Sequence, residues 1–108
     1  MSNAGLPAAR VGDSVFTGHG CTTTTKIVSG LDQGRVIIEG EPAAVVGMEM
    51  EAHTINNPAI TPPCISHIGP VVNAGSATVL VGGKPLARKG DSADMGAITG
   101  GSSTVLAG

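Results

Sequence analysis

Five side chains in this sequence could hold a metal ion: His19, Cys21, His53, Cys64 and His67. They are all the histidines and cysteines that the 108 residues contain. Cys64 and His67 form a Cys-x-x-His step, a spacing at which two ligands can grip one ion. Imidazole and thiolate are donors that zinc takes in four-coordinate tetrahedral sites. Together, His19, His53, Cys64 and His67 would saturate such an ion. The segment 92–100 offers only Asp94. Cys21 lies two residues after His19 and reads as a small buried hydrophobe. The competing reading of the sulfurs is a Cys21–Cys64 disulfide in an oxidising compartment, for which no basic-then-apolar secretion signal speaks.

The elements that must position these ligands are written as repeats. "GLPAARVGD" at 5–13 returns as "GEPAAVVGM" at 40–48 and "GKPLARKGD" at 83–91. Each copy is joined to a short Val-centred strand: Val36-Ile37-Ile38, Val79-Leu80-Val81 and Val105-Leu106. The third unit is split. Its strand closes the sequence, and the phrase that should follow it opens the sequence. Three units therefore close on themselves, and the two termini should meet. An open solenoid would carry atypical capping repeats instead. No stretch shows helical periodicity. Pro7, Pro42 and Pro85 belong at strand starts or edges, because proline cannot donate to a ladder. The alanine pairs then become small packing residues around a narrow axis. Arg10 with Asp13, and Arg88 with Asp91, read as structural ion pairs; the middle copy has Val45 and Met48 there. The long connections 14–29 and 49–74 carry the histidines and cysteines, so three-fold closure would gather these at one pole.

Composition narrows the function. The net charge is −2 with no basic cluster beyond Arg88-Lys89, which speaks against nucleic acid as a partner. No apolar run approaches the ~18 residues of a membrane span. The chain has one Phe and neither Trp nor Tyr, so its core must come from aliphatic residues and is thin. In so small a domain an additional staple is expected. The absence of a signal peptide pattern points to synthesis in the cytoplasm.

These repeated phrases, with Gly-Ser-x-x-Val turns, resemble PAAR-repeat proteins across nearly the whole chain. The departures are Val45, Met48 and Leu86. The resemblance implies an all-β, small cone-shaped domain of three pseudo-symmetric β repeats, with a metal site near the apex. It implies zinc held by three histidines and one cysteine, which map to His19, His53, Cys64 and His67. Four protein ligands leave no open position for a catalytic water, so the role implied is structural, not enzymatic. It further implies a partner: a trimeric β-helical spike, capped by one chain per trimer, in a type VI secretion system or a contractile phage tail. The protein would be assembled at the tip of the spike, touch a target membrane transiently and leave the cell. Residues 1–108 read as a single PAAR-repeat domain with no effector extension, although effector cargo could dock on it. Two other readings compete. One is a zinc-stabilised adaptor that attaches effectors to the spike. The other is a small zinc hydrolase using Glu49 or Glu51 beside His53, for which no His-Glu-x-x-His motif is present.

Overall fold

The repeated phrase makes hairpins for a local reason. A computed structural model describes residues 5–29, 36–56, 64–67 and 70–108. Its strands, in chain order, are β1 (Leu6–Pro7), β2 (Ser14–Phe16), β3 (Thr24–Ser29), β4 (Ile37–Ile38), β5 (Glu41–Pro42), β6 (Glu49–Met50) and β7 (His53–Asn56). They continue with β8 (Cys64–His67), β9 (Leu80–Val81), β10 (Lys84–Pro85), β11 (Ser92–Ala93), β12 (Gly96–Ile98) and β13 (Leu106–Ala107). The fold is all-β, and the described residues contain no helix. Strands β4 and β5 pair across Glu39 and Gly40, with φ of 50° and 85°. Strands β9 and β10 pair across Gly82 and Gly83, at 60° and 83°. Two successive positive φ values make the tight turn whose twist matches the flanking strands.

The third hairpin is assembled from both ends of the chain. Strand β13 pairs antiparallel with β1, Leu6 opposite Ala107 and Pro7 opposite Leu106. The termini meet there, as the split repeat requires. Each proline occupies the last position of a two-residue strand, where a missing N–H breaks no long ladder. Its carbonyl is still used: Pro42, Pro85 and Pro7 accept from the amides of Val11, Val46 and Lys89 of another repeat.

The alanines close the ring. Ala9 N–H donates to Ala87 O (2.9 Å), Ala87 N–H to Ala44 O (2.8 Å), and Ala44 N–H to Ala9 O (2.9 Å). All three are fully buried. Single bridges Ala8↔Arg88, Arg10↔Ala43 and Val45↔Leu86 flank this triangle. A larger side chain would hold the three backbones apart, so small residues at these positions are a condition for closure.

A second ring sits below the first. Strands β11-β12-β2-β3-β6 form one antiparallel sheet. Bridges Glu49↔Val71 and Val72↔Ala93 place residues 71–72 between the outer strands β6 and β11, so the sheet curls round to meet itself. Val15, Ile27, Met50, Val72, Ala93 and Ile98 fill its interior. Each large aliphatic side chain buried there contributes about 1.5–3 kcal/mol. Segments 14–29 and 49–74, expected as long connections, are thus partly strand. The reason is visible at Ser14-Val15-Phe16, which alternates out, in, out. The expected turn of the second repeat, residues 30–34, lies outside the described residues.

The hairpin β7–β8 belongs to the second repeat alone, with His53 opposite His67 and Asn56 opposite Cys64. Thr22 binds it to the β2–β3 connection: Thr22 N–H donates to Thr54 O (3.3 Å), and the two hydroxyls lie 2.7 Å apart.

Candidate metal centre

Three connections, one from each repeat, bring their polar side chains together. His19 lies between β2 and β3, on a loop tied by buried Thr17, whose hydroxyl donates to Thr22 O at 2.7 Å. Gly18 next to it has φ 81°, and a Cβ there would run into the Met95 carbonyl. The loop therefore rests against the turn that joins β11 to β12. That turn carries Asp94, a non-glycine residue at φ 54°. Its backbone is fixed on both sides: Asp94 N–H donates to Val71 O (3.1 Å), and Asn73 Nδ2 donates to Asp94 O (2.9 Å). His53 starts β7 and is buried.

The side chains converge on one point. His19 Nε2 is 2.9 Å from Asp94 Oδ2, and His53 Nε2 is 2.8 Å from the same oxygen. The two imidazole rings stack with centroids 5.1 Å apart and an interplanar angle of 19°. Side-chain exposure is 10% for His19, 3% for His53 and 2% for Asp94. One donor atom from each of the three lies within 4.8 Å of the others.

The donor chemistry fits a cation. His53 Nδ1 faces the Glu51 carbonyl at 2.8 Å, and His19 Nδ1 faces the Gly20 carbonyl at 3.4 Å. A carbonyl only accepts, so Nδ1 of His53 carries the proton and that ring, when neutral, turns a lone pair outward at Nε2. The carboxylate oxygen between them also offers only lone pairs. Acceptor atoms packed at these distances need a proton or a cation among them. One way is an N–H at each Nε2, donated to the carboxylate. The other is a shared metal ion. A ring N–H held by a backbone carbonyl is the usual outer support of a metal-bound histidine.

The expected ligand set and the structure differ at the sulfur. Cys64 is bonded to Cys21 in a disulfide, with Cα atoms 5.9 Å apart. A disulfide sulfur has no thiolate to give. The Cys-x-x-His step lies on strand β8. The second reading of the sulfurs, a Cys21–Cys64 pair, is the one the structure contains. The backbone of His67 lies opposite that of His53. Asp94, passed over as a lone carboxylate, sits at the centre. Its signal was positional: it occupies in the third repeat the connection that carries His19 in the first and His53 in the second.

Away from this cluster, the three hairpins present apolar side chains to solvent at equivalent positions. Ile37 is 57% exposed, Leu80 62% and Leu106 52%. Val36, Val105 and Leu6 are also exposed beside them.

A family model described as PAAR motif matches residues 63–108, the stretch that holds β8 through β13. No curated protein matches the chain.

Proposed function

We propose that this chain, whose residues 63–108 match the PAAR motif, is a PAAR-repeat protein that caps a trimeric β-helical spike of a contractile injection machine, a secretion system or a phage tail. It would sit there as a structural tip and not as an enzyme. The observation that carries this reading is the set of three equivalent hairpins with Ile37, Leu80 and Leu106 exposed. A single chain with three-fold repetition offers one matching contact to each subunit of a trimer. Short edge strands leave backbone donors and acceptors to which further strands can add, and exposed aliphatic side chains supply area to bury. One chain is then expected per trimer, with the histidine cluster turned away from the spike and toward the target membrane.

In this reading a bound ion, zinc by family resemblance, stabilises the tip. His19, His53 and Asp94 would hold it, with His67 as a further imidazole donor. When bound, a structural zinc ion contributes folding free energy, ~10–16 kcal/mol in small zinc-dependent domains. The protein's own residues do the rest. Asp94 and the two rings hold three loops in register, and the carbonyls of Glu51 and Gly20 orient the rings.

Co-expression with candidate trimeric spikes, followed by native mass spectrometry, tests the proposal. One chain per three spike subunits is expected. A single Leu80→Asp change should weaken the complex at least tenfold, since it sets an unpaired charge in an apolar contact. Three chains per trimer, or binding untouched by charges at positions 37, 80 and 106 together, would overturn the assignment and favour an adaptor.

A further inference from the structure

We propose that each subunit of the trimeric partner adds one strand to the first strand of one hairpin, β4, β9 or β13, through the backbone N–H and C=O of Ile37, Leu80 or Leu106. This rests on the reading that the chain caps such a trimer, and it names the edge that receives the partner. The alternation of bonds in an antiparallel pair decides which groups are available. Ala43 N–H donates to Val36 O (2.9 Å), Leu86 N–H to Val79 O (3.0 Å) and Ala8 N–H to Val105 O (2.9 Å). The next pair along each hairpin is Ile37 with Pro42, Leu80 with Pro85 or Leu106 with Pro7. By alternation it is a non-hydrogen-bonded pair, and its backbone groups point away from the hairpin.

On the proline side this outer edge is closed. Proline has no N–H to offer, and its carbonyl is taken by the amide of Val11, Val46 or Lys89. On the other side the edge is open. Beyond its own hairpin, no described residue bonds to the backbone of Ile37, Leu80 or Leu106. Their side chains are exposed at the same places. A donor, an acceptor and an aliphatic side chain thus stand together at three equivalent positions, which is the combination an added strand recognises. Each open edge is a single residue long, so one bridge is weak and free chains gain little by pairing with each other. A trimer makes three bridges at once, and linkage turns the second and third into intramolecular events. Recognition by this route reads the backbone, so isoleucine at one position and leucine at the other two serve alike.

The probe is the trimeric spike recovered by co-expression, and amide hydrogen exchange of the full chain is followed free and bound. Exchange at Ile37, Leu80 and Leu106 should slow at least about tenfold in the complex, as unbonded amides become bonded. Leu80→Pro deletes the amide hydrogen, Leu80→Val keeps it, and both shorten the side chain. The proline variant should bind the spike about 2–10-fold more weakly than the valine variant, the worth of one hydrogen bond. Unchanged exchange at all three amides in a formed complex, or equal binding of the two folded variants, would overturn strand addition and leave the capping reading intact. A chain that none of the candidate spikes retains would overturn both. The exchange measurement on the parent chain needs no variant to fold.

Discussion

Glu39 occupies a turn position where the corresponding residue of the next hairpin is Gly82, and it does so at φ 50°. Its carboxylate accepts from Arg10 Nη1 (3.0 Å), Ser103 N–H (3.2 Å), Ser103 Oγ (3.1 Å) and Thr104 Oγ1 (3.0 Å). It thus ties the second hairpin to the turn that precedes β13. The hydroxyls of Ser102, Thr104 and Ser103 hold its carboxyl below the usual glutamate value of 4.5. A carboxyl whose folded value is depressed stabilises the fold above its unfolded value, and that contribution is lost as pH falls through the folded value. Glu39→Gln should therefore melt below the parent protein at neutral pH, and the gap should close in acid below 4.5. A gap that stays constant across a series of thermal melts would sink this account. Of the residues in the buried polar cluster, His19 and His53 were legible as candidates from residue type alone. Asp94 was not, because one carboxylate in a short turn looks like any surface aspartate until long-range closure buries it. The Cys21–Cys64 bond was legible only as one of two readings of the sulfurs, because residues 43 apart in sequence meet through long-range closure.

At the level of elements, the repeats solve one problem in two ways. Asp91 accepts from Arg88 N–H (2.9 Å), Nε (2.9 Å) and Nη2 (2.9 Å), and Asp13 does the same for Arg10. Both guanidinium groups are held above their usual range by these carboxylates, hydrogen bonding first. In the middle repeat the same places hold Val45 and Met48, which are 0% and 1% exposed. An apolar pair thus substitutes for an ionic one within a single chain. Removing one partner of a buried pair leaves the other uncompensated, whereas replacing both is often nearly neutral. Asp91→Ala should cost about 1–3 kcal/mol. The double change Arg88→Val/Asp91→Met, copying the middle repeat, should cost less in denaturant unfolding than Asp91→Ala alone. The reverse order would show that the ionic turn has a role the apolar one cannot fill. The three hairpins and the Arg–Asp turns were readable because repetition averages out local ambiguity. The curled sheet was not, since β2 and β3 lie in a connection whose pairing with β12 and β6 depends on contacts remote in sequence.

At the scale of the molecule, the β13–β1 hairpin joins segments from opposite ends of these 108 residues, whereas its two siblings are each continuous. Opening a sibling and joining residue 108 to residue 1 should restore an equivalent chain. A permutant that joins Gly108 to the N-terminus and starts at Gly83 should fold and melt within a few degrees of the parent, roughly the shift that a change of 1 kcal/mol causes in a domain of this size. Failure to fold while the parent with a nick between Gly82 and Gly83 stays assembled would mean that the opening between β13 and β1 does more than separate two strands. The alanine triangle has one more consequence. Ala9, Ala44 and Ala87 each commit their single amide to one neighbour and their carbonyl to the other, and the cycle returns to its start. A fourth copy would find no vacancy at either hand. Open solenoids can lengthen by duplication because their last unit resembles their first with one side bare. This array has no last unit, so its copy number is capped by arithmetic, and any growth of the gene by another repeat would have to break a bond before it could make one.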